Sequence, residues 1–531
     1  MKGIEARESV VDSFPGNLEQ ADFLQTPEVT EKCGVLGWIA WDNPNADLSS
    51  VQDQFLDATR ALQHRGQQRT GIRGVSLDGE VTSLVGKGRI SDILSDNQDI
   101  DLGVENSGII HTTWTTDLSP GAENTAHPID LLSGNKRLII SHNGQFGDEV
   151  NNDNIHPNDT TAIAHDLMKF WSGQQEPDPF EALAGVLSEV DGSYSIVAKF
   201  IDGDDEFLYA VRDPRAIRPL VYGVNENGVV VASETGALDQ FGAEQLGEID
   251  KGHIYRFDRD GGLIRREFAQ APRKSCIFEN IYLTRKTHID YNGVKIEDQR
   301  RGAGELIAEL FTEEEVAEIR ANKDDYIVVP MPATAIPAAE GLASVLGIKY
   351  EPDAIKVSKA YSRSYIGTAE ATDEALEAKF VYDPEKIKGM RMLIVDDSLV
   401  RGKTSAKVIK ILEGYGANEI HFLLSSPRIE NTCDLGADIK REVLMAPGKT
   451  NQEITEALGG GKLKSVRYLP LDKLVQAIGS PETDFCTGCI NGNYATDYPI
   501  SFVRGALERW LIRPAESDTE SEIETRELAR V

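Results

Sequence analysis

The run Met392-Leu393-Ile394-Val395-Asp396-Asp397-Ser398-Leu399-Val400-Arg401-Gly402-Lys403-Thr404-Ser405 holds the most specific chemistry in this chain. Apolar residues make a strand, an acidic pair follows, and a short loop leads into the start of a helix. That order aims loop N–H groups and a helix N-terminus at a phosphate. Ser398, Thr404 and Ser405 add hydroxyl donors. A second set of candidates is sulfur. Cys486 and Cys489 form a Cys-x-x-Cys pair, and Cys276 and Cys433 bring this set to four. Four thiolates suit either zinc or a four-iron cluster. The fifth cysteine, Cys33, directly precedes the apolar stretch Gly34-Val35-Leu36-Gly37. Alone it says little, because an isolated cysteine is most often a small buried hydrophobe.

Cys33 gains meaning from His64-Arg65-Gly66-Gln67, His142-Asn143-Gly144-Gln145 and Asn158-Asp159-Thr160, which follow it in the same half of the chain. Together these segments resemble the motifs of the class II glutamine amidotransferases, whose domain is an N-terminal-nucleophile hydrolase. The resemblance implies that the Cys33 thiolate attacks the side-chain amide of glutamine, with the free α-amino group of the same residue as general base. The Asn143 side chain and the Gly144 N–H would then hold the tetrahedral oxyanion. Asp159 would hold the glutamine amino group, and Trp114 and Thr116 would line the substrate site. A free amino group on Cys33 requires that residues 1–32 be a leader removed as a propeptide. One position departs from the family. In His111-Thr112-Thr113-Trp114-Thr115-Thr116, Thr113 stands where the family carries the arginine that binds the glutamine carboxylate. A threonine cannot replace a bidentate guanidinium. The expectation is weaker glutamine capture, or a donor lacking that carboxylate, with Arg65 the nearest alternative cation by motif.

The phosphate run, in its form Ser-x-Val-Arg-Gly, resembles the phosphoribosyl-pyrophosphate loop of the amidophosphoribosyltransferases. That resemblance implies that Asp396 and Asp397 bind ribose hydroxyls beside magnesium-bound pyrophosphate. Ser398, Arg401, Gly402, Thr404 and Ser405 would complete the site. All four later cysteines match positions of the iron–sulfur subset of that family, implying a structural 4Fe-4S cluster on Cys276, Cys433, Cys486 and Cys489. The resemblance covers about residues 33–505. It implies transfer of ammonia, released from glutamine at Cys33, to phosphoribosyl pyrophosphate. The product would be phosphoribosylamine, the first step of purine synthesis, made by a cytoplasmic homo-oligomer (dimer or tetramer). The alternative is a divergent paralogue acting as an amide hydrolase or amidotransferase on other substrates in a specialised pathway. Two departures speak for it. The family's Pro-Asp-Ser-Gly turn is here Pro332-Ala333-Thr334-Ala335. The closing loop keeps Arg363-Ser364-Tyr365-Ile366 but continues with Gly367-Thr368 and the acids Glu370, Asp373, Glu374 and Glu377.

These residues need two scaffolds, and 531 residues are too many for a single core. Strand patterns at 35–41, 108–114, 137–141, 194–200, 206–212 and 228–232 and helices at 51–64 and 160–171 make the first part α+β. With the resemblance, the reading for residues 33–275 is an αββα N-terminal-nucleophile sandwich. From about residue 300 short apolar strands (326–329, 392–395, 419–424) alternate with helices (301–311, 336–346, 404–415). That alternation predicts an α/β domain with a parallel sheet over residues 276–505. Residues 506–531 form an acidic tail read as lacking regular structure. A net charge of −32 argues against nucleic-acid partners. No long uncharged apolar run suggests a membrane span. Five cysteines are not a disulfide framework in a chain of this length.

Overall fold

The computed structural model describes residues 33–95, 100–114, 127–147, 150, 156–173, 178–358, 379–433, 435–437, 439, 441, 444–502 and 524–527. The leader, Thr116 and the closing loop around Arg363 therefore lie outside the described residues.

The first part runs through β1 (Cys33–Ala40), α1 (Val51–Leu62), β2 (Arg69–Val75), β3 (Val81–Lys87), β4 (Ser107–Thr113), β5 (Ile129–Ser133) and β6 (Lys136–Phe146). It continues with α2 (Asp159–Trp171), α3 (Pro179–Leu187), β7 (Gly192–Asp202), β8 (Asp205–Arg212), β9 (Val221–Asn225) and β10 (Gly228–Ala232). Helix α4 (Thr235–Gln240) and strands β11 (Glu244–Glu248), β12 (His253–Phe257) and β13 (Gly262–Glu267) complete it. One sheet has the order β11-β9-β10-β1-β4-β2-β3, and the other runs β13-β12-β8-β7-β6-β5.

Side-chain alternation along the strands explains how they stack. Val35 and Ile39 of β1 meet Ile109, Ile139 and Val197 between the sheets. Leu36, Trp38 and Ala40, on the other face of β1, pack on Val51, Phe55 and Leu62 of α1 and Leu238 of α4. Leu138 and Ile140 of β6 face outward onto Ile163 and Leu167 of α2 and Leu183 of α3. The result is helix, sheet, sheet, helix. Within the acidic tail, Glu524–Glu527 adds a strand to the outer edge of β13 instead of lacking regular structure. An edge strand offers a row of N–H and C=O groups that an extended segment can satisfy.

The second part holds β14 (Ser275–Cys276), α5 (Ile296–Ile307), β15 (Tyr326–Pro330), α6 (Ile336–Leu346) and β16 (Lys349–Tyr350). Then follow β17 (Arg391–Asp396), α7 (Lys403–Gly414), β18 (Glu419–Leu424), β19 (Leu463–Tyr468) and β20 (Phe485–Cys486). Its main sheet is all parallel with the order β16-β15-β17-β18-β19. The strand order reverses between β15 and β17, and ligands of such folds bind beyond the strand ends at that switch point. No helix among the described residues is long and apolar enough to cross a membrane.

Candidate active sites

Cys33 opens β1 and lies opposite Thr113 of β4, with its Sγ 3.3 Å from Thr113 Oγ1. It shares the inner face with Val35 and Ile39, so the thiol faces the space between the sheets. Asn143 of β6 is four residues beyond Ile139, which also faces that space, so the two project to the same side. Asn143 is 3% exposed, and its Nδ2 has no hydrogen-bond partner among the described residues. Buried amides are normally satisfied, so this donor is one that a ligand oxygen could use. Gly144 follows at φ +142°, and a Cβ there would lie 2.0 Å from the Ser193 carbonyl oxygen. Only glycine fits so close to the neighbouring strand.

Asp159 is placed by its helix. The Asn158 side chain accepts from Thr161 N (2.7 Å) and caps α2, which puts Asp159 in the first turn. Its carboxylate accepts from Phe146 N (3.1 Å) and Thr160 N (2.6 Å), at the same end of β6 as Asn143. Trp114 is buried, and its indole N–H also has no partner among the described residues. Deeper in, the rings of His111 and His127 lie 4.3 Å apart. Burial, helped by His142, holds His127 down at about 4 and His111 well below its ordinary value. Both imidazoles are therefore neutral near pH 7.

Arg65 does not serve as the alternative carboxylate binder. It is 1% exposed and already pairs with Glu234 and, at 2.8 Å, with Glu279. His64 Nε2 is 2.8 Å from Glu234, and Arg218 is 3.0 Å from Glu279. Burial alone would raise Glu279, but Arg65 and Arg218 hold it at about 2. These charges fasten the first part of the chain to the segment leading into the second. Arg212 pairs with Glu248, and Arg215 with Asp191, so these arginines are structural.

At the switch point of the parallel sheet, Asp396 ends β17 and Asp397 N donates to its Oδ1 (2.9 Å). Ser398 Oγ donates to Asp397 (2.8 Å). Gly402, at φ +73°, starts α7 with no side-chain cap, which leaves the first-turn N–H groups facing the loop. Arg401 and Thr404 are half-buried, and Ser405 is buried. The turn Pro332-Ala333-Thr334-Ala335 follows β15, the neighbour of β17, so it borders the same loop. Its Ala333 and Thr334 are buried. Arg363 and the closing loop lie outside the described residues.

The sequence-distant cysteines come into one neighbourhood. β14 and β20 pair in parallel with Cys276 opposite Cys486. The backbone N–H groups of Glu430 and Asn431, near Cys433, both donate to the Cys489 carbonyl. Burial pushes Cys276 up to about 12 against the pull of Arg218, and burial with Cys433, Cys276 and Cys486 raises Cys489 well above its ordinary value. Among the described residues no group of three or more His, Cys, Asp or Glu forms a ready-made metal site. The donor chemistry fits a group bound by four thiolates all the same. Buried thiols held protonated need a cationic centre to become thiolates.

Sequence reasoning read Ser233-Glu234 as structural, and it did not single out Glu279 or the loop around Leu435. The Leu435 carbonyl accepts from Ser193 Oγ (2.8 Å) and Arg218 Nη2 (2.7 Å), and Gly436 packs against Gly144. The second part of the chain therefore packs against Gly144 and Ser193. Only the five-residue spacing of Glu279 from Thr284, its own hydrogen-bond partner, is local, and that gives no signal.

A two-sheet domain with a cysteine opening its first strand, joined to a parallel-sheet domain with an acidic pair and a loop at its switch point, has the architecture of a two-site amidotransferase. Residues 295–439 match the phosphoribosyl transferase domain. The amidophosphoribosyltransferase of Methanothermobacter thermautotrophicus is 30% identical over 487 residues, 90% of this chain and 97% of that protein. That of Synechococcus elongatus is 31% identical over 501 residues, 91% and 95% of the two chains. The solved glutamine phosphoribosylpyrophosphate amidotransferase from B. subtilis, complexed with ADP and GMP, superposes with a TM-score of 0.73. It is 26% identical and covers 87% of this chain and 97% of its own. The chain belongs to the amidophosphoribosyltransferase family.

Proposed function

We propose that this enzyme takes ammonia from glutamine at Cys33 and transfers it to phosphoribosyl pyrophosphate, giving phosphoribosylamine, the first step of purine synthesis. The observation that carries the amide half is the buried Asn143 Nδ2, without a partner among the described residues, on the side of β6 that faces the inner face bearing Cys33. With Cys33 as residue one, its α-amino group takes the thiol proton and the thiolate adds to the glutamine amide carbon. Asn143 Nδ2 and Gly144 N–H stabilise the oxyanion. The captured proton passes to the departing ammonia, and water releases glutamate from the thioester. Asp159 accepts hydrogen bonds from the substrate ammonium.

In the second site the α7 N-terminus and the hydroxyls of Ser398, Thr404 and Ser405 hold the 5′-phosphate, with Arg401 beside it. Asp396 and Asp397 orient the ribose hydroxyls, and ammonia displaces pyrophosphate from the anomeric carbon. Magnesium carried by the pyrophosphate would neutralise charge on that leaving group. A 4Fe-4S cluster on Cys276, Cys433, Cys486 and Cys489 would tie β14 to β20 and to the loop that reaches Gly144. Family resemblance supports a cytoplasmic homo-oligomer.

The test is pyrophosphate release that depends on both glutamine and phosphoribosyl pyrophosphate, coupled to glutamate formation. Asn143→Ala should lower the glutamine-driven rate by about a hundred- to a thousand-fold. Glutamate formation without pyrophosphate release, whatever the acceptor concentration, would refute the transfer reading.

A further inference from the structure

The site needs a cation for the carboxylate of an amino-acid donor. Position 113 is threonine, and Arg65 is committed to Glu234 and Glu279. The register of the sheet supplies a different one. Thr113 lies between two strands, opposite Cys33 of β1 on one side and opposite Arg69 of β2 on the other. Residues directly opposite one another in an antiparallel sheet project to the same face. Arg69, Thr113 and Cys33 thus form one row across three strands, and that row faces the space between the sheets. The parity of β2 agrees, because Val75, six residues on, packs between the sheets while Ile72 packs outside. The start of β2 is fastened here by Gln68 N donating to the Thr113 carbonyl (3.1 Å). Arg69 is 5% exposed, so its guanidinium is held within the protein and not in solvent.

We infer that Arg69 binds the α-carboxylate of the donor, the guanidinium having been supplied from one strand beyond position 113. This deepens the glutamine reading above and rests on it. Adjacent strands are roughly 4.8 Å apart, which puts the Cα atoms of Cys33 and Arg69 about 10 Å apart. Glutamine spans roughly 5 Å from carboxylate carbon to amide carbon over four C–C bonds. The arginine side chain covers the remainder, and the residue between them, Thr113, has a short side chain. The other arginine on this face of β2 is Arg73. It lies opposite Ile109, farther from Cys33, and its Nε is 3.6 Å from Asp130. Arg69 and Asp159 then offer the two charges that an α-amino-acid head group requires. The enzyme would be specific for free glutamine, and the threonine would mark a relocated contact instead of a lost one.

The experiment compares glutamine with 4-aminobutanamide, which has the same amide and amine but no carboxylate. Wild type should favour glutamine by about tenfold or more in kcat/KM. Arg69→Met should raise the glutamine KM about ten- to a hundred-fold, with a much smaller effect on the decarboxylated analogue. Adding Thr113→Arg to Arg69→Met should recover glutamine use. A glutamine KM unchanged by Arg69→Met would overturn the inference, as would equal use of the two amides by wild type. The wild-type comparison decides the matter if the variant does not fold. Hydrolysis of neither amide by wild type would instead overturn the glutamine reading beneath it.

Discussion

Replacing Glu279 by glutamine keeps the size of the side chain and removes the charge that two buried guanidiniums share. Glu279 accepts from Arg65 Nη2 at 2.8 Å, from Arg218 Nη1 at 3.0 Å and from Thr284 Oγ1 at 2.6 Å. Both arginines are at most 1% exposed, so neither can turn to water when its partner is neutralised. Arg65 retains Glu234, but Arg218 pairs with no second carboxylate among the described residues and would rely on the Leu435 carbonyl. An amide at position 279 would also turn N–H groups toward these cations. Removing one member of a buried ion pair costs about 3–5 kcal/mol. At roughly 2–4 °C per kcal/mol for units of this size, the calorimetric Tm should fall by about 6–20 °C.

The pH dependence of that loss is a second reading of the same prediction. Arg65 and Arg218, against the effect of burial, hold Glu279 at about 2, below its ordinary 4.5. A carboxylate with a lowered folded value adds stability that is present above the unfolded value and lost as pH falls through the folded one. The Tm gap between wild type and Glu279→Gln should be constant from about pH 8 to about pH 5 and close on further acidification. A Tm within about 2 °C of wild type, less than one kcal/mol by that scale, would refute the reasoning. So would a gap that widens as pH falls.

Two further outcomes are expected. Active protein should begin at Cys33, because its thiol needs the free α-amino group as base, and intact-mass measurement should show residues 1–32 removed. Turnover by protein that keeps Lys32 would contradict this. Protein prepared without oxygen should be brown and carry about four iron and four sulfide per chain. Cys276→Ser should lose that iron and weaken the contact of Leu435 and Gly436 with the amide site, lowering glutamine turnover along with thermal stability. Zinc in place of iron would keep the ligand set and overturn the cluster.

The sequence by itself determined what is local. The strand Arg391–Asp396, its acidic pair and the helix beginning at Lys403 were legible because consecutive residues form that strand–loop–helix unit. Cys33, Asn143 and Asp159 were legible as motifs, and Val35 to Trp41 as a buried strand, since burial on both faces requires a continuous apolar run. Strand β2 was not legible. Its inner-face positions are Arg69, Gly71 and Arg73 until Val75, so it carries no apolar alternation, and only pairing with β3 and β4 makes it a strand. Tertiary structure alone decided that Arg65 serves Glu234 and Glu279, and that Arg69 stands in a row with Cys33. It alone brought Cys276 opposite Cys486 across more than two hundred residues of chain. The physical reason is the same in each case. A charge or a thiol acquires its role from the partner that packing puts beside it, and strand register, which no local pattern encodes, sets that partner.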